Sequence, residues 1–288
     1  MPNTFKIKQP RDFGALITAP FTYIRKHYEV LGKSLLYFIV PLIAVTSILM
    51  TQYFTATFEM GMNPEALETG GGLSNMFSMY GASTLFSMIT MTALAALIYT
   101  HMKLVANETF ANSRIAVDHI WQGIKSNFVG ILLISIGIFF ATMLGSLFFI
   151  LPGIFIAIKL TLVTAAYVLE DKHSISDAFS RSWHLITNHW WFTLGLVIVL
   201  SILIGLLSQA LSLPFIIATA ISGFSGFTDP NSAGTIIAIF YGFVTSLSYI
   251  FYSIIYLALG FHFYNLVERK EGEGLRQRIN EIGNSANA

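Results

Sequence analysis

The chain has 288 residues, of which 55% are hydrophobic and 11% charged, with a formal net charge of +1 and no cysteine. A soluble domain carries about 25% charged residues, so this composition excludes a water-covered globular surface. The absence of cysteine excludes disulfides and thiolate metal sites, and no nucleic-acid partner is expected.

The first thirty residues mix Lys6, Lys8, Arg11, Arg25 and Lys26 with apolar residues. They show no cleavable signal pattern, and the first long apolar run is expected to stay as a signal-anchor helix. Six apolar runs follow, near 33–58, 74–102, 128–150, 153–170, 190–222 and 233–267. Each is near or above the roughly 20 residues needed to cross the hydrocarbon core. The breaks have local causes: Glu59 to Gly72 holds Asn-Pro and Gly-Gly-Gly, Leu151-Pro152-Gly153 reads as a tight turn, and Gly223 to Ser232 contains Asp229-Pro230-Asn231.

Lys33, Lys103, Arg114, Lys125, Lys172, Arg181, Arg269, Lys270, Arg276 and Arg278 fall with the N-terminal basic residues in the segments on one side. The three alternate loops hold only Glu59, Glu65, Glu68 and Asp229. Cytoplasmic segments attract Lys and Arg, so both termini are expected in the cytoplasm and the chain in the plasma (inner) membrane. The six-helix membrane domain is expected over 1–269, with a polar cytoplasmic tail over 270–288.

A threefold repeat is expected within that domain, with units at about 11–110, 111–172 and 173–269. Before each odd-numbered span, residues at offsets 0, 3, 4, 7 and 11 share one helical face. They are Ile17, Pro20, Phe21, Ile24 and Tyr28; Val117, Ile120, Trp121, Ile124 and Phe128; and Phe179, Ser182, Trp183, Ile186 and Trp190. The opposite faces carry Arg25 and Lys26; Asp118, Gln122 and Lys125; and Asp177, Arg181 and His184. That pattern suits an amphipathic helix in the membrane interface. The hairpins end alike, in Val105-Ala106-Asn107-Glu108, Tyr167-Val168-Leu169-Glu170 and Asn265-Leu266-Val267-Glu268. The expected fold is therefore all-α, with six transmembrane helices arranged as three units of interfacial helix plus membrane hairpin.

The run Leu151-Pro152-Gly153-Ile154-Phe155, then Lys159, Val168-Leu169-Glu170 and Ala178 to Trp183, resembles the membrane domain of glycerophosphoryl diester phosphodiesterase-like proteins. The ending Phe263 to Gly272 resembles the same family's C-terminal signature. The likeness covers about residues 110–190 and 255–278. Some members carry a phosphodiesterase domain after this membrane domain; here a short polar tail is expected instead. The resemblance implies the fold and carries no activity.

Lys159 is the one charged side chain inside an apolar span, seven residues from the expected outer turn and eleven from Glu170. An intramembrane charge costs a few kcal/mol and often marks function. Snorkelling over about 10 Å or a structural pairing explains it as well. Ser208, Ser212, Thr245 and Ser246 have the right chemistry to serve as its partners. Glu108, Glu170 and Glu268 stand at helix C-termini, where the macrodipole disfavours an anion, so capping or an ion pair with a neighbouring helix is expected. Trp121, Trp183 and Trp190 read as interfacial anchors. The methionines at 60, 62, 76, 79, 88 and 91 read as adaptable packing. No catalytic, cofactor-binding or metal-binding constellation is legible, and the histidines lack a His-Glu-x-x-His pattern.

The leading expectation is a non-enzymatic multi-pass membrane protein, lipid- or envelope-related, with the bilayer or another membrane protein as partner. The alternative is a small transporter or permease subunit with Lys159 in a polar cavity.

Overall fold

The computed structural model describes residues 6–62, 71–107, 115–170, 174–224 and 230–272. They are helical throughout apart from short connections. In chain order the helices are α1 (Phe13–Ser34), a π-helical turn (Leu35–Ile39), α2 (Val40–Met62), α3 (Gly71–Ala106), α4 (Val117–Phe148) and α5 (Ile150–Leu160). There follow α6 (Val163–Leu169), α7 (Ile175–Ile186), α8 (Trp190–Phe224), α9 (Pro230–Leu247), a 3-10 turn (Ser248–Phe251) and α10 (Tyr252–Glu271). Six stretches are long and apolar enough to span a membrane: Phe13–Thr57, Gly71–Ala106, Val117–Leu147, Ile150–Leu169, Trp190–Pro214 and Ile236–Glu271. Their outer faces are lined with exposed Leu, Ile, Val and Phe. Such faces are stable only against hydrocarbon. The protein is a multi-pass, all-α membrane protein.

The three lead-in segments are built differently. α1 carries one non-helical residue, His27 (φ −115°, ψ 19°), and joins α2 through the π-helical turn. The second segment is simply the first turns of the 32-residue α4. Only the third, α7, is a separate helix, divided from α8 by a turn in which Asn188 has φ 71°. That left-handed conformation suits Asn better than most side chains.

The expected turn at Leu151-Pro152-Gly153 needs correction. The chain reverses at Phe149, whose backbone is extended, and Pro152 is the third residue of α5. A first-turn residue has no intrahelical partner for its N–H, so proline costs nothing there. Gly153 instead allows close approach of the two helices: a Cβ there would collide with Ser146, and one on Gly145 would lie 2.7 Å from Ile156 Cδ1.

The chain divides into two compact units. The first comprises 1–34, 95–200 and 254–288 and holds the α4–α5 hairpin, α6 and α7. Its buried side chains include Leu16, Tyr23, Leu97, Tyr99, Ile120, Phe261 and Phe263. The second comprises 35–94 and 201–253. Within it Thr46 and Thr90 bond hydroxyl to hydroxyl at 3.0 Å, Phe54 meets Tyr241 edge-on at 4.7 Å, and a Cβ on Gly242 would collide with Thr51.

Candidate functional site

The fourth span is interrupted at Thr161–Leu162, between α5 and α6. An interrupted ladder leaves backbone groups without helical partners, a costly state in a bilayer. Ser182 of α7 repairs it from the side: its hydroxyl donates to the Lys159 carbonyl (2.7 Å) and accepts from the Leu162 N–H (3.2 Å). Ser182 is fully buried. The sequence carries a signal for this in a polar residue on the otherwise apolar face of α7.

Lys159 lies beside that break and is 6% exposed. Its ammonium donates to Thr187 Oγ1 (2.8 Å) and stands 5.1 Å from the Trp183 ring centre and 5.7 Å from that of Phe155. Among the described residues no carboxylate is its partner. Trp190 stacks on Phe155 at 5.7 Å and donates weakly to the Phe155 carbonyl at 3.4 Å. Lys159, Trp183 and Trp190 are thus brought together, on α5, α7 and α8, around Phe155. The hydroxyls expected to serve Lys159 belong to the second unit: Ser208, Ser212 and Thr245 line a cavity of about 220 Å³ there, and Ser246 Oγ is buried without a hydrogen-bond partner. Those expected partnerships are not made; Thr187, at the end of α7, takes their place.

The helix-end carboxylates separate. Glu170 caps α6 and meets Arg181 of α7, with N···O contacts of 2.7 and 2.8 Å. Arg181 also grips Glu271, the last residue of α10, through both terminal nitrogens, Nη2 to Oε2 at 2.9 Å. One guanidinium therefore answers two anions placed at unfavourable helix ends. The hydrogen bond to Glu271, reinforced by Glu170, holds Arg181 in its charged form, its pKa raised despite partial burial. Glu268 lies half-buried on α10. Glu108 lies outside the described residues, as do Glu65, Glu68, Arg114, Lys172 and Asp229 and the tail beyond Gly272.

A second polar cluster escaped sequence reasoning. The Arg11 backbone N–H donates to Asn265 Oδ1 (2.8 Å), its guanidinium donates to the carbonyls of Ile7 (2.7 Å) and Gln9 (3.3 Å), and Arg269 donates to the Arg11 carbonyl (3.0 Å). Burial lowers the Arg11 pKa to about 10. Deeper in the same unit, Tyr23 OH and His101 Nδ1 are 2.6 Å apart, and Thr193 Oγ1 meets His262 Nε2 at 2.9 Å. Thr193 Oγ1 also donates to the His189 carbonyl at 3.0 Å. Among the described residues no group of three His, Asp or Glu is arranged to hold a metal ion.

Trp121, the remaining expected anchor, is on α4 with the Lys125 ammonium 5.2 Å from its ring centre. Here cation and ring lie four residues apart on one helix, whereas Lys159 reaches Trp183 from a different helix. Phe21, Trp121 and Trp183, which share offset 4 in the three lead-in segments, are 44%, 41% and 45% exposed. Pro20, Ile120 and Ser182, at offset 3, are all buried. No protein-family model, curated protein or solved structure matches the chain.

Proposed function

We propose that the chain is a non-enzymatic protein of the plasma membrane, with cytoplasmic termini, that acts through contact with anionic lipid in the inner leaflet. The carrying observation is that two exposed tryptophans at the same offset, Trp121 and Trp183, each have an ammonium beside the ring, Lys125 from the same helix and Lys159 from a neighbouring one. An indole at the headgroup level is amphipathic in the way the interface requires. A neighbouring ammonium adds attraction for a lipid phosphate, to which Lys159 can donate: it spends one donor on Thr187 and, among the described residues, meets no carboxylate. The equal exposure at offset 4 supports the threefold repeat, with Phe21 holding in the first unit the place that tryptophan holds in the other two. The distribution of basic residues supports the orientation. The resemblance to a phosphodiesterase-linked membrane domain favours a lipid setting in the same sense.

The transporter reading placed Lys159 in a polar cavity; its contacts with Thr187, Phe155 and Trp183 argue for the lipid reading instead.

The test uses a variant retaining Trp183 as its one tryptophan, reconstituted in vesicles with brominated lipids. Brominated phosphatidylglycerol should quench Trp183 more than brominated phosphatidylcholine, and Lys159→Met should abolish the difference. Equal quenching by the two lipids before the substitution would refute anionic-lipid contact at this site.

A further inference from the structure

The second unit contains a cavity of about 220 Å³ between α8, α9 and the 3-10 turn before α10. Its walls are Ser208, Gln209, Ser212, Tyr241, Thr245, Ser248, Tyr249 and Tyr252, with Val244 the one apolar member. Eight hydroxyl- or amide-bearing residues converge there in spans whose other outward residues are Leu206, Leu213, Ile239, Phe240 and Phe243. Such a concentration is costly to place in an apolar segment unless a polar group occupies it.

The protons of several wall groups are already committed. Ser212 donates to the Gln209 carbonyl (2.9 Å) and Ser248 to the Val244 carbonyl (2.9 Å). Ser87 donates to the Ser83 carbonyl (2.7 Å), so in its 2.9 Å contact with Tyr249 the phenol is the donor. What Ser212, Ser248 and Tyr249 have left to offer is oxygen lone pairs. At these three groups an occupant must therefore bring the donors. Among the described residues no Asp, Glu, Lys, Arg or His lines the cavity, so none of them would compensate a charge on it. Tyr241, Tyr249 and Tyr252 supply flat faces of the kind that pack on C–H-rich rings, and Tyr241 and Tyr252 are exposed, leaving the cavity open to the surroundings. The volume is below the roughly 300–1,000 Å³ of sites for drug-sized ligands.

We propose that this cavity binds a neutral polyhydroxyl group of about one sugar ring, carried either on a membrane lipid or by a free polyol. This goes beyond lipid contact at Trp183, since none of the wall residues belongs to that site.

The experiment is native mass spectrometry of the full chain purified in a polyoxyethylene detergent that contains no sugar. The probes are a monoglucosyl diacylglycerol, the same diacylglycerol without sugar, free glucose and phosphatidylethanolamine. Retention of the glucolipid over plain diacylglycerol is expected; glucose binding in addition would identify a free polyol as sufficient, and its absence a lipid-borne one. Gln209→Leu and Ser248→Ala should each weaken glucolipid retention about fivefold to tenfold, the worth of a neutral hydrogen bond. Lys159→Met should leave it unchanged, so the two sites fail separately. Glucolipid retained no better than plain diacylglycerol, tighter binding of phosphatidylethanolamine, or full retention by both cavity variants would overturn the proposal.

Discussion

The two units solve the same problem with different chemistry. All 16 Lys and Arg residues lie in the first, and the second has no basic residue at all, only Glu59, Glu65, Glu68 and Asp229. The first unit joins distant parts of the chain through Arg181 with Glu170 and Glu271, and through Arg11 with Asn265. The second uses neutral pairs, Thr46 with Thr90 and Ser87 with Tyr249, and aromatic edges. A charge-assisted bond is roughly twice as strong as a neutral one, and removing one partner strands the other. Damage to single side chains should therefore cost more in the first unit than in the second.

The largest effect is expected from Arg181→Met, which removes the guanidinium shared by Glu170 and Glu271 at two helix ends. A loss of about 3 kcal/mol is expected, read as a lower unfolding midpoint in detergent. An unchanged midpoint would mean that the two carboxylates have other partners. Next is Ser182→Ala, which leaves the Lys159 carbonyl and Leu162 N–H unanswered. It should cost about 1–3 kcal/mol, with faster hydrogen exchange concentrated at 159–163. Protection equal to the parent's at those amides would show that the break tolerates its orphans. The smallest is Tyr249→Phe, which removes a neutral bond to a hydroxyl that already donates to its own helix. About 0.5–1.5 kcal/mol is expected. A loss matching that of Arg181→Met would erase the contrast between the units.

How much of this was legible follows the same line. The six spans were readable because length and hydropathy suffice for them. The break at Thr161–Leu162 was not, since neither residue is a helix breaker; it is held by Ser182, 20 residues from Leu162 along the chain. Phe149 gave no turn signal, while Pro152 drew the boundary three residues too late. Ser208, Ser212 and Thr245 could be singled out as polar residues in apolar runs, yet their company could not. Thr187, the partner Lys159 has, lies beyond the amphipathic stretch in a segment that reads only as a connection. Spacing within one helix is local information, and these partnerships join different helices.

The hydroxyl of Ser182 also constrains the order in which the chain can be made. The fourth span leaves the ribosome before Ser182 does, so it reaches the membrane with the Lys159 carbonyl and Leu162 N–H still unsatisfied. Those groups are costly in hydrocarbon. Until α7 has been synthesised and folded back, water or the insertion machinery must serve them. The fourth span and α7 should then be released into the lipid together, as one step of biogenesis. A chain arrested by truncation just before Ser182 would be expected to remain associated with the translocation channel.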